Sequence, residues 1–349
     1  MNSTAFIPVR TPTLRRLARA LFWASVAVTS PVCAPATAVA LQSSDAVAAE
    51  RRISTLMTQA EDALRVDEFA QALGWFTEAA SLGSPPAMVA AGRLHEHGRG
   101  TARNASEALR WYRTSALRGN AEAKTHMALL LLREKRTDTS MPAPLAVIQA
   151  AAKEGIAYAL YAMGWLHQQG VALHKDESIA AEWFEKAANR GEPLAQLALA
   201  IQYLEGKGIA DHPRMAAIWF DEAARHGETE AQARLGVLFR DGWGVERDEL
   251  EAVYWLNRAA ESGHPAAMTA LAEIQTEGRG PIRKEPEKAL PLLKKAAAAG
   301  DARAKYLLGV LLVEARVPEA DAALGMKMLK EAAESGIDDA RAWLARMPR

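Results

Sequence analysis

Eight glycines set the strongest constraint on this chain: Gly83, Gly119, Gly155, Gly191, Gly227, Gly263, Gly300 and Gly336 stand 36 residues apart, with a single interval of 37. A length of 349 residues would by itself suggest about two globular domains. A fixed period of this size instead requires stacked supersecondary units, each burying its apolar face against the next. Ala recurs four residues after every marker, as at Ala87, Ala159 and Ala231, and three before it, as at Ala80, Ala152 and Ala224. Nine residues after the marker the side chain is always Gly or Ala, from Gly92 and Ala128 to Gly309 and Ala345.

Each unit reads as two helices, which makes the chain all-α. After Gly227, the residues Ala231, Leu235, Leu238 and Phe239 form the i, i+4, i+7, i+8 stripe of an amphipathic helix. The second helix buries a pattern such as Ala216, Trp219, Phe220, Ala223 and Ala224. Small residues mark where helix axes approach to about 8 Å. The marker glycine suits a left-handed helix terminus. Between the helices, Gly98-Arg99-Gly100, Gly206-Lys207-Gly208, Gly242-Trp243-Gly244 and Gly278-Arg279-Gly280 recur without the preceding strand or the third glycine of a phosphate loop, so they read as structural turns.

Units such as residues 223–263 resemble Sel1-like repeats, a branch of the tetratricopeptide-like helical repeats, and the likeness covers residues 84–336. The resemblance implies a right-handed α/α solenoid of about eight antiparallel hairpins with a C-terminal capping helix, a curved rod roughly 80 Å long. The expected order is an export signal over 1–40, an N-terminal helix and tetratricopeptide-like hairpin over 41–83, repeats at 84–119, 120–155, 156–191, 192–227, 228–263, 264–300 and 301–336, and a cap over 337–349. Two units are degenerate. One has lost Gly-x-Gly over Arg133 to Pro144 and reads Val147-Ile148 where others have Trp; the other has changed between Arg316 and Asp321.

Residues 1–40 carry Arg10, Arg15, Arg16 and Arg19 with no acid, then the apolar run Ala20 to Val28 and a small-residue stretch ending Ala38-Val39-Ala40. This is the order of a secretory signal, too short in its apolar part to remain as a membrane span, with cleavage expected after Ala40. Leu17-Ala18-Arg19 departs from a twin-arginine continuation, and Ser30-Pro31-Val32 departs from the residues that precede a lipidated Cys33. A periplasmic or secreted location follows as the expectation. The whole chain balances 42 basic against 42 acidic groups; without residues 1–40 the count is 38 against 42, a net of −4, with no cysteine. That balance lacks the footprint of a nucleic-acid binder, and 50% apolar content excludes a disordered chain.

No enzyme chemistry stands out. There is no HExxH, no Gly-x-Ser-x-Gly elbow and no Ser-x-x-Lys, and the two imidazoles of His95 and His97 diverge on a helix, so neither a metal nor a cofactor is expected. His95 and His167 read as packing residues at the core edge, while His126, His226 and His264 read as flanking turns. Some cysteine-rich secreted members of the resembled family carry a β-lactamase attribution, which does not transfer to a cysteine-free chain.

Positions three, six and ten after each marker should face away from the buried stripe. In the middle units these are Tyr158, Tyr161, Trp165, Leu194, Leu197 and Ile201, an apolar patch where a solvated face would be polar. Either it grips a partner segment, or tight curvature buries it between neighbouring first helices. Trp243 is a further candidate, because other loops place Arg99, Lys207 or Arg279 there, whereas Trp75, Trp111, Trp183, Trp219 and Trp255 share one scaffold position. The expected role is a non-enzymatic scaffold, adaptor or regulator that binds a protein partner on its concave face. The resemblance extends this to envelope processes such as exopolysaccharide production. The alternatives are a cell-wall or β-lactam hydrolase, or a polysaccharide-binding wall that stacks sugars on Tyr158, Tyr161 and Trp165.

Overall fold

A computed structural model of the chain describes residues 36–66, 68–138, 142–278, 281–314, 317 and 321–346. The chain falls into two compact units, Met1–Ala48 and Ala49–Arg349; of the first, only the opening turns of one helix are described. The expected export signal therefore lies outside the described residues, apart from Ala36–Ala40 at the start of that helix. Among the described residues there are seventeen helices and no strand.

α1 (Ala36–Arg65) precedes α2 (Phe69–Ser81), and its Leu56, Ala60 and Ala63 share an apolar cluster with α2; from there the helices pair in chain order, α3 (Pro85–His97) with α4 (Ala105–Leu117), α5 (Ala121–Arg133) with α6 (Pro144–Lys153), and α7 (Ala157–Gln169) with α8 (Glu177–Ala188). There follow α9 (Pro193–Glu205) with α10 (Pro213–Arg225), α11 (Thr229–Asp241) with α12 (Glu249–Glu261), α13 (Pro265–Glu277) with α14 (Pro286–Ala298), and α15 (Ala302–Val313) with α16 (Ala322–Glu334). A single helix, α17 (Asp338–Ala345), closes against α16. The fold is an α/α solenoid. Its core is a row of apolar clusters, one passing into the next, with Tyr112, Phe184, Phe220 and Leu256 fully buried.

Local chemistry explains the regular lengths. Asn104, Asp176 and Asp248 accept hydrogen bonds from the first backbone amides of α4, α8 and α12, and Pro85, Pro193 and Pro265 occupy first helical positions where no amide donor is needed. Helix ends close with paired bonds across the marker glycine: Gly227 N–H donates to Ala224 O and Glu228 N–H to Ala223 O, the six-to-one and five-to-two pair that needs a left-handed residue between. Within a hairpin, the glycine nine residues on makes room for the large side chain of the second helix. A Cβ on Gly236 would lie 2.7 Å from Leu256 Cγ.

The Gly-x-Gly loops are stacking joints. Gly244 has φ +78°, and a Cβ there would sit 2.3 Å from the carbonyl oxygen of Pro213, at the start of the preceding unit's second helix. Gly208 meets Glu177 and Gly100 meets Phe69 in the same register. The loop at 278–280 falls partly outside the described residues.

Marker and loop glycines should therefore differ in their tolerance of a methyl group. Gly227→Ala, with φ +87° and nothing within 4 Å of the new Cβ, is expected to lose about 1 kcal/mol for the left-handed conformation alone. Gly244→Ala adds backbone overlap and should lose about 3 kcal/mol in urea unfolding.

Candidate functional site

The first helices form one wall of the solenoid: α5 touches α7, α11 touches α13, and α13 touches α15, in addition to the hairpin partners. The wall winds tightly. Arg258 of α12 donates to the backbone oxygen of Arg65 at 2.9 Å, and a 190 Å³ cavity has Phe69, Arg93 and Leu94 on one side and Pro193, His226 and Glu228 on the other. Residues three to five repeats apart thus face each other across the inside of the turn, unlike an open rod. The close helix approach at Gly and Ala positions permits this winding.

The middle of this wall is an aromatic stack. The His126 ring lies 3.5 Å from Tyr158 and 4.9 Å from Tyr112, nearly parallel to both, and Tyr158 leads to Tyr161 and then to Phe184. Tyr158 is buried, so its ring faces the stack. Tyr161, Trp165, Leu194, Leu197 and Ile201 are half-buried. Tyr161, Trp165 and Leu194 pack on the core cluster of α7 and α8, and Leu197 and Ile201 on the next, so the structure brings these side chains to adjoining hairpins of one wall. The Arg133 guanidinium lies 5.9 Å above the Trp165 ring. Trp243 stands apart in the loop after α11, 52% exposed.

Beneath the stack lies a buried charge cluster that sequence reasoning missed. Glu96, 3% exposed, accepts from Tyr112 Oη at 2.7 Å and from Arg133 at 2.7 Å. His126 lies inside α5 and is buried, rather than flanking a turn, with the Glu122 carboxylate 3.7 Å from its Nε2. Burial holds its pKa below the usual value, against the opposing pull of Glu122. Glu192 and Glu228 are both buried, at the caps of α9 and α11, and both act on Arg93 across the turn. Burial raises the Glu192 carboxyl to about 7, against the opposing pull of Arg93, and its Oε1 has no hydrogen-bond partner. A turn position in sequence gives no sign that such a carboxylate points inward. Further along, the wall changes character to an ionic ladder, in which Arg240 and Arg303 each reach Glu273 at 2.9 Å and Arg303 also pairs with Asp339.

Among the described residues no three or more His, Cys, Asp or Glu are grouped to hold a metal ion, and no described helix is long and apolar enough to cross a membrane.

The architecture defines an α/α repeat protein. The chain belongs to the Sel1 repeat family, whose repeat matches at residues 61–84, 85–120, 157–192, 193–228, 229–264, 265–301 and 302–337 and leaves out 121–156. Proteins built of these repeats are generally scaffolds for protein interactions, and typically not catalysts. A similar solved structure is c5321, a protective antigen of uropathogenic Escherichia coli with the same repeat fold, at 25% identity and a TM-score of 0.59. The match covers 87% of this chain and 65% of that one, so this chain spans about two thirds of its relative's length. A Sel1 repeat protein from Oxalobacter formigenes is 25% identical, with a TM-score of 0.52, over 86% of this chain and 90% of that one. No curated protein matches the sequence.

The raised Glu192 carboxyl sets a pH dependence. The folded state holds this proton between its unfolded value near 4.5 and about 7, so Glu192 lowers stability as pH rises through that window. Replacing it by the neutral isostere, Glu192→Gln, should leave stability little changed near pH 4.5 and raise it by up to about 3 kcal/mol above pH 7. Thermal melts of both proteins from pH 4.5 to 8 check this; a difference that does not grow with pH would remove the assignment.

Proposed function

We propose that this protein is an exported, non-enzymatic scaffold that holds a segment of a partner protein on the inner wall of its solenoid. Tyr161, Trp165, Leu194, Leu197 and Ile201 supply the contact, with Tyr158 as the buried support behind them. The observation that carries this reading is the half-buried aromatic and aliphatic row itself. Its rings are held by neighbours on the core side, so they lose little conformational freedom on binding, as good interface anchors do. The wall on one flank of the row is ionic, which orients a segment that is apolar in the middle and charged toward one end. Trp243 adds a separate exposed contact on the loop edge.

Export rests on residues 1–40, whose basic start, apolar run and small-residue end have the order of a cleaved signal. It places the scaffold in the periplasm or outside the cell, in the service of an envelope process. Intact mass measured on protein from the periplasmic or culture fraction should correspond to a chain starting at Leu41; an uncleaved chain confined to the cytoplasm would overturn the export reading.

A photo-crosslinking residue placed at Ile201 or Trp165 should yield one discrete protein adduct in cells, and the same residue at Leu250, 60% exposed on α12, should yield none. Equal adducts from both faces would show that the inner wall has no special role.

A further inference from the structure

The cavity on the inside of the turn joins parts of the chain that only the winding brings together. Leu64, Phe69, Phe76 and Leu94 come from the first hairpins, and Pro193 and Glu228 from the starts of α9 and α11. At 190 Å³ it exceeds the roughly 30 Å³ of one water but falls below the about 300 Å³ at which pockets for drug-sized ligands begin, so its occupant is a small molecule.

Two groups of opposite charge face this cavity without meeting. The Arg93 guanidinium, on α3, finds neither an acceptor nor an ion-pair partner among the described residues. Glu228 is 8% exposed, and its carboxylate neither caps α11 nor forms an ion pair among the described residues. Arg93 feels the charge of Glu228, yet the two do not pair. Arg99, 5.4 Å above the Phe69 ring, adds a second guanidinium to the wall of Arg93. Desolvation, with both guanidiniums nearby, holds His97 to about 4, so its ring adds no charge at neutral pH. The repeat requires neither Arg93 nor Glu228. Arg93 stands ten residues after its marker glycine, where other units carry Leu129, Trp165, Ile201, Val237 and Val310. Glu228 stands one residue after its marker, where the side chains of Ser84, Asn120, His264 and Asp301 cap the helix that follows. A desolvated charge without a partner is costly, and two of opposite sign on facing walls form a site that a zwitterion completes.

We propose that this cavity binds a free apolar α-amino acid, with its carboxylate on Arg93 and Arg99, its ammonium on Glu228 and its side chain among Leu64, Phe69, Phe76 and Leu94. The mixed charge is what selects the ligand. A plain carboxylic acid leaves Glu228 unpaired, a plain amine leaves Arg93 unpaired, and the amino acid satisfies both with charge-assisted hydrogen bonds. Because the two walls belong to hairpins several repeats apart, the ligand also ties the turn closed. The site uses no residue of the row from Tyr161 to Ile201, and it stands whether or not that row holds a partner segment.

Calorimetric titration of the full chain with L-leucine and with L-phenylalanine tests the assignment. At least one should bind, one molecule per chain. The matching acids without the ammonium, isocaproate and hydrocinnamate, and the matching amines without the carboxylate, isoamylamine and phenethylamine, should bind at least tenfold more weakly. Glu228→Gln should weaken the amino acid tenfold or more and leave the acid unaffected, while Arg93→Gln should weaken both amino acid and acid and leave the amine unaffected. The melting temperature of the wild type should rise with amino-acid concentration, and that of Glu228→Gln much less. Trp165→Ser, which removes an anchor of the inner row, should leave amino-acid binding unchanged. The ligand series on the wild type decides the matter even if Arg93→Gln fails to fold. No binding of either amino acid at about 1 mM, or acid and amine binding as tightly as the amino acid, would overturn the proposal. Equal loss of all three ligand types in both charge variants would also overturn it, because the changes would then act on the fold alone.

Discussion

The solenoid depends on how closely its helices can approach. In successive hairpins, a glycine or alanine on the first helix receives a large side chain from the second. Cβ atoms on Gly92, Gly164 and Gly236 would lie within 2.5–2.7 Å of Tyr112, Phe184 and Leu256. In these units a methyl group could enter only if that large side chain moved, whereas the alternate units, with Ala128, Ala200 and Ala272 at the same register, already accommodate one. The Gly-x-Gly loops apply the same rule between units, laying the backbone of one loop against the start of the previous second helix. Close contact on both sides sets the pitch, and the pitch closes the turn.

Closing the turn has an electrostatic consequence. Charges that an open rod would leave in water come to face one another inside: Arg93 meets the influence of Glu192 and Glu228, and Glu96 is buried against Tyr112 and Arg133. Burial of a carboxylate is costly unless it is paired. Glu96 meets this with two hydrogen bonds, while Glu192, with an oxygen left unpartnered, meets it by holding its proton to higher pH. The aromatic stack Tyr112, His126 and Tyr158 shields the cluster, and the half-buried row of Tyr161 to Ile201 is the surface next to it. The proposed inner binding wall and the buried charges are thus two consequences of one curvature.

Departures from the period separate scaffold from function. Five tryptophans at one register position hold hairpins together, and the positions where the pattern fails are where surface is free to do something else. Trp243 adds an indole where the repeat needs none.

The fold was legible in the sequence because it is built from local repetition. The glycine period, the helix stripes, the Pro and Asn/Asp caps and the structural reading of Gly-x-Gly all follow from contacts within a unit or between adjacent units, which a 36-residue window contains. The apolar row from Tyr158 to Ile201 was legible for the same reason, as a break in a helical face. The sequence could not decide which of its members are buried, since Tyr158 and Trp165 share one helix and differ only in what the turn places against them. Nor could it show Glu192, Glu228 and His126 as interior groups, or the meeting of Arg65 with Arg258. Those contacts join residues several repeats apart, and their distance is set by the accumulated rotation of the stack, a quantity that no single repeat encodes. Sequence determined the unit and the order of units; tertiary structure decided what faces what across the turn, because small rotations add up over hairpins before two distant side chains can meet.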